Sequence, residues 1–485
     1  MLQELKNELN YTYTENGALT YDSTLNHCVD LFATIGGLRN ADEAEIIARF
    51  VRAYAEKPDI AMKVLFYARD VRGGLGERRI FRILLRFLSE NHAISVKKNI
   101  RIIAEYGRFD DILVLMDTPC EKLAIEVLEK QLIKDVEALN TTGDVSLLTK
   151  WLPSVNTSNK QTVRLGRKLA KAFGMTEKEY RKTLSSLRKQ IDIIENYLRE
   201  TDYSFDYEKQ CSQAMLKYRK AFNSHDKERY TEYLNNVSEN KATMHTGTLM
   251  PYEIITPFFE GKVSEDEAKS LDVTWNAQEN YAGDENALVV IDGSGSMYGG
   301  LKPTPAVVAQ SLGLYFAERN KGKFANHFIT FSEKPKLVEV KGKSLKEKLQ
   351  YIASYNEVAN TNIQAVFNLI LKTAVKNKMS QKDMPKRLII VSDMEFDTCV
   401  YDGDITNFEY AKRSFEAAGY ELPKVVFWNV ASRKMQVPVT ENEQGVTLVS
   451  GCNARLFEQI VSDKATPYEY MMDIIGRERY ERIVA

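Results

Sequence analysis

The amino-acid sequence predicts two kinds of fold in one chain: an all-α array first, then a doubly wound parallel sheet flanked by helices. From about Asp42 to Glu260, apolar residues recur every three to four positions, which is the periodicity of helices that bury one face. After Ser270, short runs rich in Val and Ile alternate with helical patterns, as expected of parallel strands joined by crossover helices. We therefore expect a helical module over residues 1–270 and an α/β domain over residues 280–485.

The composition is that of an ordinary folded protein. The chain has 485 residues, of which 44% are hydrophobic and 27% charged, so it is long enough for two or three packed domains. Its 66 Lys and Arg residues nearly balance 67 Asp and Glu residues. Overall charge therefore indicates neither nucleic-acid nor membrane binding, and any such surface must come from local segregation of charge.

The cysteines and the N-terminus indicate a cytoplasmic protein. Five cysteines are scattered without a CxxC pair, which argues against a disulfide framework or a thiolate zinc site, and we expect them to be small buried hydrophobes. They are Cys28, Cys120, Cys211, Cys399 and Cys452. The N-terminus lacks the apolar segment of a signal peptide, and no window of about 18 uncharged apolar residues follows. We expect no membrane association.

The helical module contains turns marked by Gly or Pro, such as the one at Lys57 and Pro58. Such helices fit an array in which each pair buries its apolar face on the next. No clean repeat period is evident, so a solenoid is suggested by the pattern alone. We expect no strand between residues 42 and 260.

The α/β domain has six predicted strands. They are Ala287 to Ile291, Phe324 to Phe331, Leu337 to Val340, Leu388 to Val391, Val425 to Val430 and Val446 to Val449. Thr304 before Pro305 predicts a helix start, and Ser344 with Glu347 predicts a capping box. An apolar face from Ile363 to Ala374 predicts a further helix.

A cluster of oxygen-bearing side chains is predicted where these strands end. Asp292, Ser294 and Ser296 follow the first strand at alternate positions, Thr361 precedes a helix, and Asp393 follows the most apolar strand. Parallel sheets bind ligands beyond the carboxyl ends of their strands, and carboxylates with hydroxyls suit Mg²⁺ or Mn²⁺. The alternative is that Asp292 and the serines only cap a helix and satisfy backbone groups in a turn.

These five residues resemble the metal-ion-dependent adhesion site of von Willebrand factor A domains. The resemblance implies that Ser294, Ser296 and Thr361 bind the ion through hydroxyls, with Asp292 and Asp393 binding directly or through water. It also implies one open coordination position, which an acidic group of a partner fills in that family. The nearby Glu395 and Asp397 either enlarge the acidic cluster or face water.

Basic residues are concentrated in the helical module. Residues 151–200 hold eleven Lys and Arg against five Asp and Glu, and they include one cationic helical face followed by a second basic segment. The face consists of Lys160, Arg164, Arg167, Lys168 and Lys171, and the segment of Arg181, Lys182, Arg188 and Lys189. These positions are candidates for RNA contact, although such charge is usually a solvated surface.

A glycine-rich turn gives a third basic candidate. Gly73, Gly74 and Gly76 lie between two predicted helices that end near Arg69 and start near Glu77. The turn either cradles a phosphate, with charge supplied by Arg72, Arg78 and Arg79, or is a helix connection that needs positive φ.

The order of motifs along the chain carries a second resemblance. "RDVRGGLGERRIFR", "WLPSVNTSNK" and "YRKTLSSLRKQ" precede "DGSGS", "NTN" and "SDMEFD". In this order the chain resembles domain of unknown function 2828 proteins and, more distantly, the TROVE or Ro ribonucleoprotein family. The latter resemblance implies HEAT-like repeats that close into a ring, basic surfaces that bind misfolded and small noncoding RNAs, and an A-type domain joining the ends of the ring.

Three functions follow as hypotheses. The first is a non-enzymatic scaffold that binds small or structured RNA and carries Mg²⁺ or Mn²⁺. The second is an adaptor whose metal receives an acidic group of a protein partner, without RNA. The third is a metal-dependent hydrolase, for which the sequence offers only Glu395 or Asp397 as a general base and neither GxxxxGK[ST] nor HExxH.

Overall fold

A computed structural model describes residues 1–300, 302–355, 361–398, 405–461 and 466–485. The chain forms two compact units. The first unit consists of Met1–Val64 with Cys211–Tyr480, and the second of Leu65–Gln210 with Glu481–Ala485. The last helix before the sheet ends at Asn276 and the first strand of the sheet begins at Ala287, whereas the compact units divide at other positions.

The N-terminal part of the first unit contains a β-hairpin that the periodicity did not predict. This part of the chain contains α1 (Leu2–Asn10), β1 (Tyr11–Tyr13), β2 (Leu19–Tyr21), α2 (His27–Thr34) and α3 (Glu43–Glu56), and the hairpin consists of β1 and β2. The two strands are antiparallel, and Thr12 pairs with Thr20. Gly17 in the connecting turn has a φ of +83°, which glycine adopts without strain. Asn16 and Gly17 between alternating Tyr and Thr residues are a hairpin signal.

The second unit is built from helices within the described residues. They are α4 (Pro58–Arg69), which begins in the first unit, α5 (Arg78–Asn91), α6 (Ala93–Asn99), α7 (Ile103–Tyr106), α8 (Phe109–Ile112), α9 (Glu121–Leu139), α10 (Leu148–Trp151), α11 (Lys160–Ala172), α12 (Glu177–Gln190) and α13 (Ile194–Arg199). A buried ion pair ties α4 to α8. Nε of Arg69 donates to Asp111 at 2.8 Å, and Arg82 of α5 donates to the other carboxylate oxygen at 2.6 Å.

Within the described residues, the first unit resumes after the second with four more helices, which lead to its sheet. They are α14 (Ser212–His225), α15 (Lys227–Ser238), α16 (Pro251–Glu260) and α17 (Glu265–Asn276). No strand occurs between residues 42 and 260, all of which the structure describes, so the predicted helical character of this stretch is confirmed.

A six-stranded sheet follows. Its strands are β3 (Ala287–Asp292), β4 (His327–Phe331), β5 (Leu337–Glu339), β6 (Arg387–Ser392), β7 (Lys424–Asn429) and β8 (Val446–Ser450). Their spatial order is β5-β4-β3-β6-β7-β8, and each neighbouring pair is parallel except β4 with β5. Every residue of β3 and β6 is buried, as expected for strands covered on both faces. The predicted fold class, a helical region followed by a doubly wound, mostly parallel sheet, is confirmed.

Seven helices accompany the sheet within the described residues. They are α18 (Pro305–Arg319), α19 (Leu345–Ala353), α20 (Ile363–Asn377), α21 (Asn407–Ala417), α22 (Leu456–Ile460), α23 (Pro467–Ile475) and α24 (Glu478–Glu481). The three that the sequence predicted, α18, α19 and α20, begin at the predicted positions. Thr304 is the N-cap before Pro305, and Ser344 accepts a hydrogen bond from the backbone nitrogen of Glu347. Helix α18 packs closely on β3, because a Cβ on Gly313 would meet Cδ1 of Ile291 at 2.3 Å.

The cysteines are partly as expected. Cys28, Cys120 and Cys452 are buried, whereas Cys211 is exposed, so the expectation of burial is wrong for Cys211 because it lies just before α14 rather than on an apolar face. Cys399 lies outside the described residues. In the part of the chain that the structure describes, no helix has both the length and the apolar character needed to cross a membrane.

Candidate functional site

The loop after β3 brings the first three predicted ligands together. Asp292 is fully buried at the end of the strand, and its Oδ1 accepts a hydrogen bond from the backbone nitrogen of Ser294 at 2.9 Å. The hydroxyls of Ser294 and Ser296 lie 3.0 Å apart. Asp292 therefore does satisfy a backbone group in a turn, as the alternative interpretation expected. In addition, the two serine hydroxyls lie close together.

The loop after β6 brings a second carboxylate to the same edge of the sheet. β3 and β6 are neighbours at the point where the strand order reverses, the usual ligand position of doubly wound sheets. Ser392 at the end of β6 donates to Oδ2 of Asp292 at 2.5 Å. Asp393, which follows it, is 2% exposed and accepts a hydrogen bond from the backbone nitrogen of Glu395 at 3.2 Å.

Thr361 lies beside the segment that follows Asp393. Its backbone oxygen accepts from the backbone nitrogen of Asp397 at 3.1 Å, and its hydroxyl lies 3.4 Å from Nδ2 of Asn16. That same nitrogen donates to the backbone oxygen of Glu395 at 2.7 Å. Thr361 is 1% exposed, so its hydroxyl lies within this buried polar cluster and not in solvent.

The two aspartates destabilise each other's charged form. Burial raises the pKa of Asp292, and the negative charge of Asp393 raises it further. Burial also raises the pKa of Asp393, while a hydrogen bond from Ser296 and the charge of Arg433 oppose the rise. A cation between these groups would relieve the cost of holding both carboxylates charged in a buried place.

The donor set fits a small, hard cation. The hydroxyls of Ser294 and Ser296 hydrogen-bond to each other at 3.0 Å, which is also roughly the separation of ligands on adjacent corners of an octahedron about 2.1 Å from Mg²⁺. Oδ2 of Asp393 is buried and, among the described residues, accepts no hydrogen bond. Within the same residues, no three His, Cys, Asp or Glu side chains gather into a metal-binding group.

Glu395 does not face water, so that alternative is wrong for this residue. It is 1% exposed because the N-terminal hairpin covers it: Oε2 accepts from the backbone nitrogen of Glu15 at 2.7 Å, and Oε1 accepts from Gln436 at 2.6 Å. Burial raises the pKa of Glu395, and these hydrogen bonds oppose the rise. Asp397 is half-buried at the edge of the cluster.

The sequence did not single out Arg433, which follows β7 and reaches the same site. Its Nη2 donates to the backbone oxygen of Ser296 and lies 3.6 Å from Oδ2 of Asp393. Its Nη1 lies 3.6 Å from Oε2 of Glu15. A lone arginine in a loop carries no sequence signal, but the Asn-Gly hairpin could have drawn attention to Glu15 and Asn16.

The second basic segment forms the wall of a cleft in the second unit. The cleft has a volume of about 490 Å³, and its lining contains five cationic side chains and one carboxylate, that of Glu200. The cations are Arg181, Lys182, Arg188, Lys189 and Arg199. Ser154, Asn156 and Ser185 add hydrogen-bonding groups. Such a lining suits phosphate groups.

Arg188 has a structural role within this cleft. Its three guanidinium nitrogens donate to the backbone oxygens of Thr149 and Leu152 and to the hydroxyl of Ser154, at 2.6–2.7 Å. Arg181, Lys182 and Lys189 are exposed. Of the four predicted members of the segment, these three are the ones whose charge is directed to solvent.

The cationic face lies on α11 as predicted, and its members differ. Lys160, Arg164 and Lys171 are exposed, and Arg167 pairs with Glu177 at 3.0 Å on the surface. Lys168 is half-buried and is held between Asp117 and Glu121 at 2.6 and 2.5 Å. Its side chain therefore already neutralises protein carboxylates.

The glycine-rich turn is a helix connection and not a phosphate cradle. The backbone nitrogens of residues 74, 75, 76 and 77 all donate to carbonyl oxygens within Tyr67 to Asp70. A Cβ on Gly74 would lie 2.0 Å from the backbone oxygen of Tyr67, and Gly76 has a φ of +74°. The amides are therefore occupied, although the side chains of Arg72, Arg78 and Arg79 are exposed.

In comparisons with known proteins, two family models match different parts of this chain. The model of a domain of unknown function (DUF2828) matches residues 14–116 and 124–285, and that of another (DUF7788) matches residues 286–478. An uncharacterised protein of Acanthamoeba polyphaga mimivirus is 29% identical over 508 residues, which cover 96% of this chain and 87% of the relative. The Ro (RSR) protein of Deinococcus radiodurans aligns over 94% of this chain and 100% of its own, at 11% identity and a TM-score of 0.35.

Proposed function

This chain belongs to the DUF2828 family, and we propose that it is a non-enzymatic, TROVE-like or Ro-like RNA-binding scaffold with a divalent-metal adhesion site. The observation that carries the RNA-binding part is the cleft beside α12, where five cations face a single carboxylate. Phosphate contacts supply most of the affinity of such proteins and require neither a catalytic group nor a net positive chain. A cytoplasmic location belongs to the same proposal.

The exposed cations of the cleft provide the test for RNA. We expect the triple variant R181E/K182E/K189E to bind a fluorescein-labelled RNA stem-loop about tenfold or more weakly in an anisotropy titration, because each substitution replaces an attraction to phosphate with a repulsion. The slope of log K against log salt should become shallower by roughly 0.7–0.9 for each lost contact. Arg188 is left unchanged because it holds the cleft together.

A matched control separates a local effect from a general change in charge. Lys372 and Lys376 are exposed on α20 in the first unit, and K372E/K376E should keep wild-type affinity. R164E/K171E tests the face of α11 without disturbing Lys168. Wild-type affinity in the cleft variant would contradict RNA binding there, and a loss only in the α11 variant would move the contact to that face.

The metal part of the proposal assigns Mg²⁺ or Mn²⁺ to Asp292, Ser294, Ser296, Thr361 and Asp393. It is supported by the hydroxyl separation of 3.0 Å and by the buried oxygen of Asp393 that accepts no hydrogen bond among the described residues. Isothermal titration with Mn²⁺ should give one site in the wild type and none in D393N. D383N, which changes an exposed carboxylate elsewhere, should bind like the wild type.

A hydrolytic role is disfavoured by the position of Glu395. A general base needs a free oxygen within reach of a water, yet both carboxylate oxygens of Glu395 accept hydrogen bonds from the protein. The adaptor hypothesis needs an accessible coordination position at the metal. The N-terminal hairpin lies over that side of the cluster, which favours the scaffold.

A further inference from the structure

The tip of the N-terminal hairpin is fastened to the loop that carries Asp393. We call residues 14–18 the hairpin tip. The hydroxyl of Thr14 donates to the backbone oxygen of Phe396 at 2.6 Å, and the backbone nitrogen of Glu15 donates to Glu395 at 2.7 Å. Gly17 also forms a β-bridge with Asp397. Main-chain and side-chain bonds therefore fix the tip in place.

The hairpin tip contacts a predicted metal ligand directly. Nδ2 of Asn16 lies 3.4 Å from the hydroxyl of Thr361 and donates to the backbone oxygen of Glu395 at 2.7 Å. Thr361, Asp393 and Ser294 are 1–3% exposed. These three ligands are thus shielded from solvent beside the hairpin tip, whereas Ser296 is half-buried.

Glu15 and Asp393 flank one guanidinium. Arg433 lies 3.6 Å from a carboxylate oxygen of each, and it also donates to the backbone oxygen of Ser296. A positive group therefore already stands between the carboxylate of the hairpin tip and the carboxylate of the sheet edge. Oδ2 of Asp393, the oxygen on that side, accepts no hydrogen bond among the described residues although it is buried.

We propose that Glu15 is the carboxylate that completes the cation site, so that the coordination position left open by the five sheet-edge ligands is filled by this chain itself. The inference rests on the cation site of the proposed function. Arg433 then serves as the counter-ion of Glu15 and Asp393 when no divalent cation is bound. The divalent cation and the Arg433 guanidinium cannot both occupy the site, because two positive charges at such a short distance repel each other.

The Arg433 side chain can move into a neighbouring cavity when a cation binds. It is one third exposed and lines a cavity of about 380 Å³ whose wall includes Asp42 and Glu45. The same wall also contains Arg39, and Glu45 is paired with Arg49, so Asp42 is the carboxylate that this cavity offers to the displaced guanidinium. Glu15 is 40% exposed, so its carboxylate can turn toward the cation without unpacking the hairpin.

Mn²⁺ titration of the full-length protein tests the proposal. We expect E15Q, which keeps the size of the side chain and removes its charge, to bind Mn²⁺ at least about tenfold more weakly than the wild type. E8Q, which changes an exposed glutamate of α1, should bind like the wild type. R433Q should bind Mn²⁺ more tightly, because it removes the competing cation.

Hydrogen exchange of residues 11–21 gives a second measurement. Mn²⁺ should slow exchange of these amides strongly in the wild type and in E8Q and much less in E15Q, since coordination by Glu15 adds a direct tie to the ion beyond the bonds that already hold the hairpin tip. Wild-type affinity in E15Q, with binding lost in D393N, would overturn the role of Glu15 and leave the cation site standing. No Mn²⁺ binding in the wild type would instead refute the cation site. Weaker Mn²⁺ binding in R433Q than in the wild type would refute the mutual exclusion of the cation and the Arg433 guanidinium. R433Q can be measured even if E15Q does not fold.

Discussion

The ion pair between Arg69 and Asp111 gives the sharpest prediction of stability. Asp111 is fully buried and Arg69 is 2% exposed, and two nitrogens of the guanidinium lie 2.8 Å from the same carboxylate oxygen. Removing one partner of a buried pair costs about 3–5 kcal/mol, because the other charge stays buried without compensation. We therefore expect Asp111→Asn to destabilise the second unit by that amount.

Hydrogen exchange measures this loss where it occurs. A loss of about 3–5 kcal/mol corresponds to about 150- to 5,000-fold faster exchange of the amides that open with the whole unit, at about 1.36 kcal/mol for each factor of ten. Peptides from Pro58–Arg69 and Arg78–Asn91 report on it.

The neighbouring carboxylate provides the control. Asp110 is 17% exposed and pairs with the half-buried Arg82 and Arg108, so Asp110→Asn should cost only about 1 kcal/mol and change exchange by less than tenfold. Equal effects of D110N and D111N, or a change below tenfold in D111N, would refute the view that Asp111 anchors the helices.

Three further outcomes follow from packing and exposure. Gly313→Ala should destabilise the first unit by about 1–3 kcal/mol in chemical unfolding, because its Cβ would overlap Ile291; an unchanged midpoint would contradict the close contact. Ellman's reagent at pH 8 should show a fast phase that is lost when Cys211 is changed to Ser, since Cys211 is exposed while burial raises the pKa of the Cys28 and Cys120 thiols; a fast phase that persists would place the reactive thiol elsewhere. Arg188→Ala should lower the melting temperature by the equivalent of about 2 kcal/mol or more while Lys189→Ala changes it little, and similar shifts would deny Arg188 its structural role.

Much of the sheet could be predicted because the pattern that identifies each strand lies within a few consecutive residues. The apolar run at 388–391 and the Thr304 and Pro305 helix start depend on residues that are close along the chain, and the structure has both. The convergence of Asp292 with Asp393 also follows from topology, since the ends of adjacent parallel strands meet at one edge.

The rest depends on contacts between distant parts of the chain. The Asn16 and Gly17 pair indicates a hairpin, but nothing local says that its tip docks against Glu395, some 380 residues later. The sequence placed Arg188 in a basic segment, yet its long side chain folds back to backbone carbonyl oxygens. The spacing of residues along a helix does not show that a side chain folds back onto the backbone.

The arrangement of the first unit has a consequence for synthesis on the ribosome. The backbone nitrogen of Gly36 donates to the hydroxyl of Ser450 at 2.9 Å, across 414 residues of chain. At about 5–20 residues per second, translation needs roughly 20–80 s to deliver the second partner after the first. During that interval the second unit, whose residues lie almost entirely between, can complete its fold, while the emerged N-terminal segment has no sheet to cover. The contacts that residues 1–64 make with the last strand of the sheet therefore form only after residues 65–210 of the second unit have been synthesised.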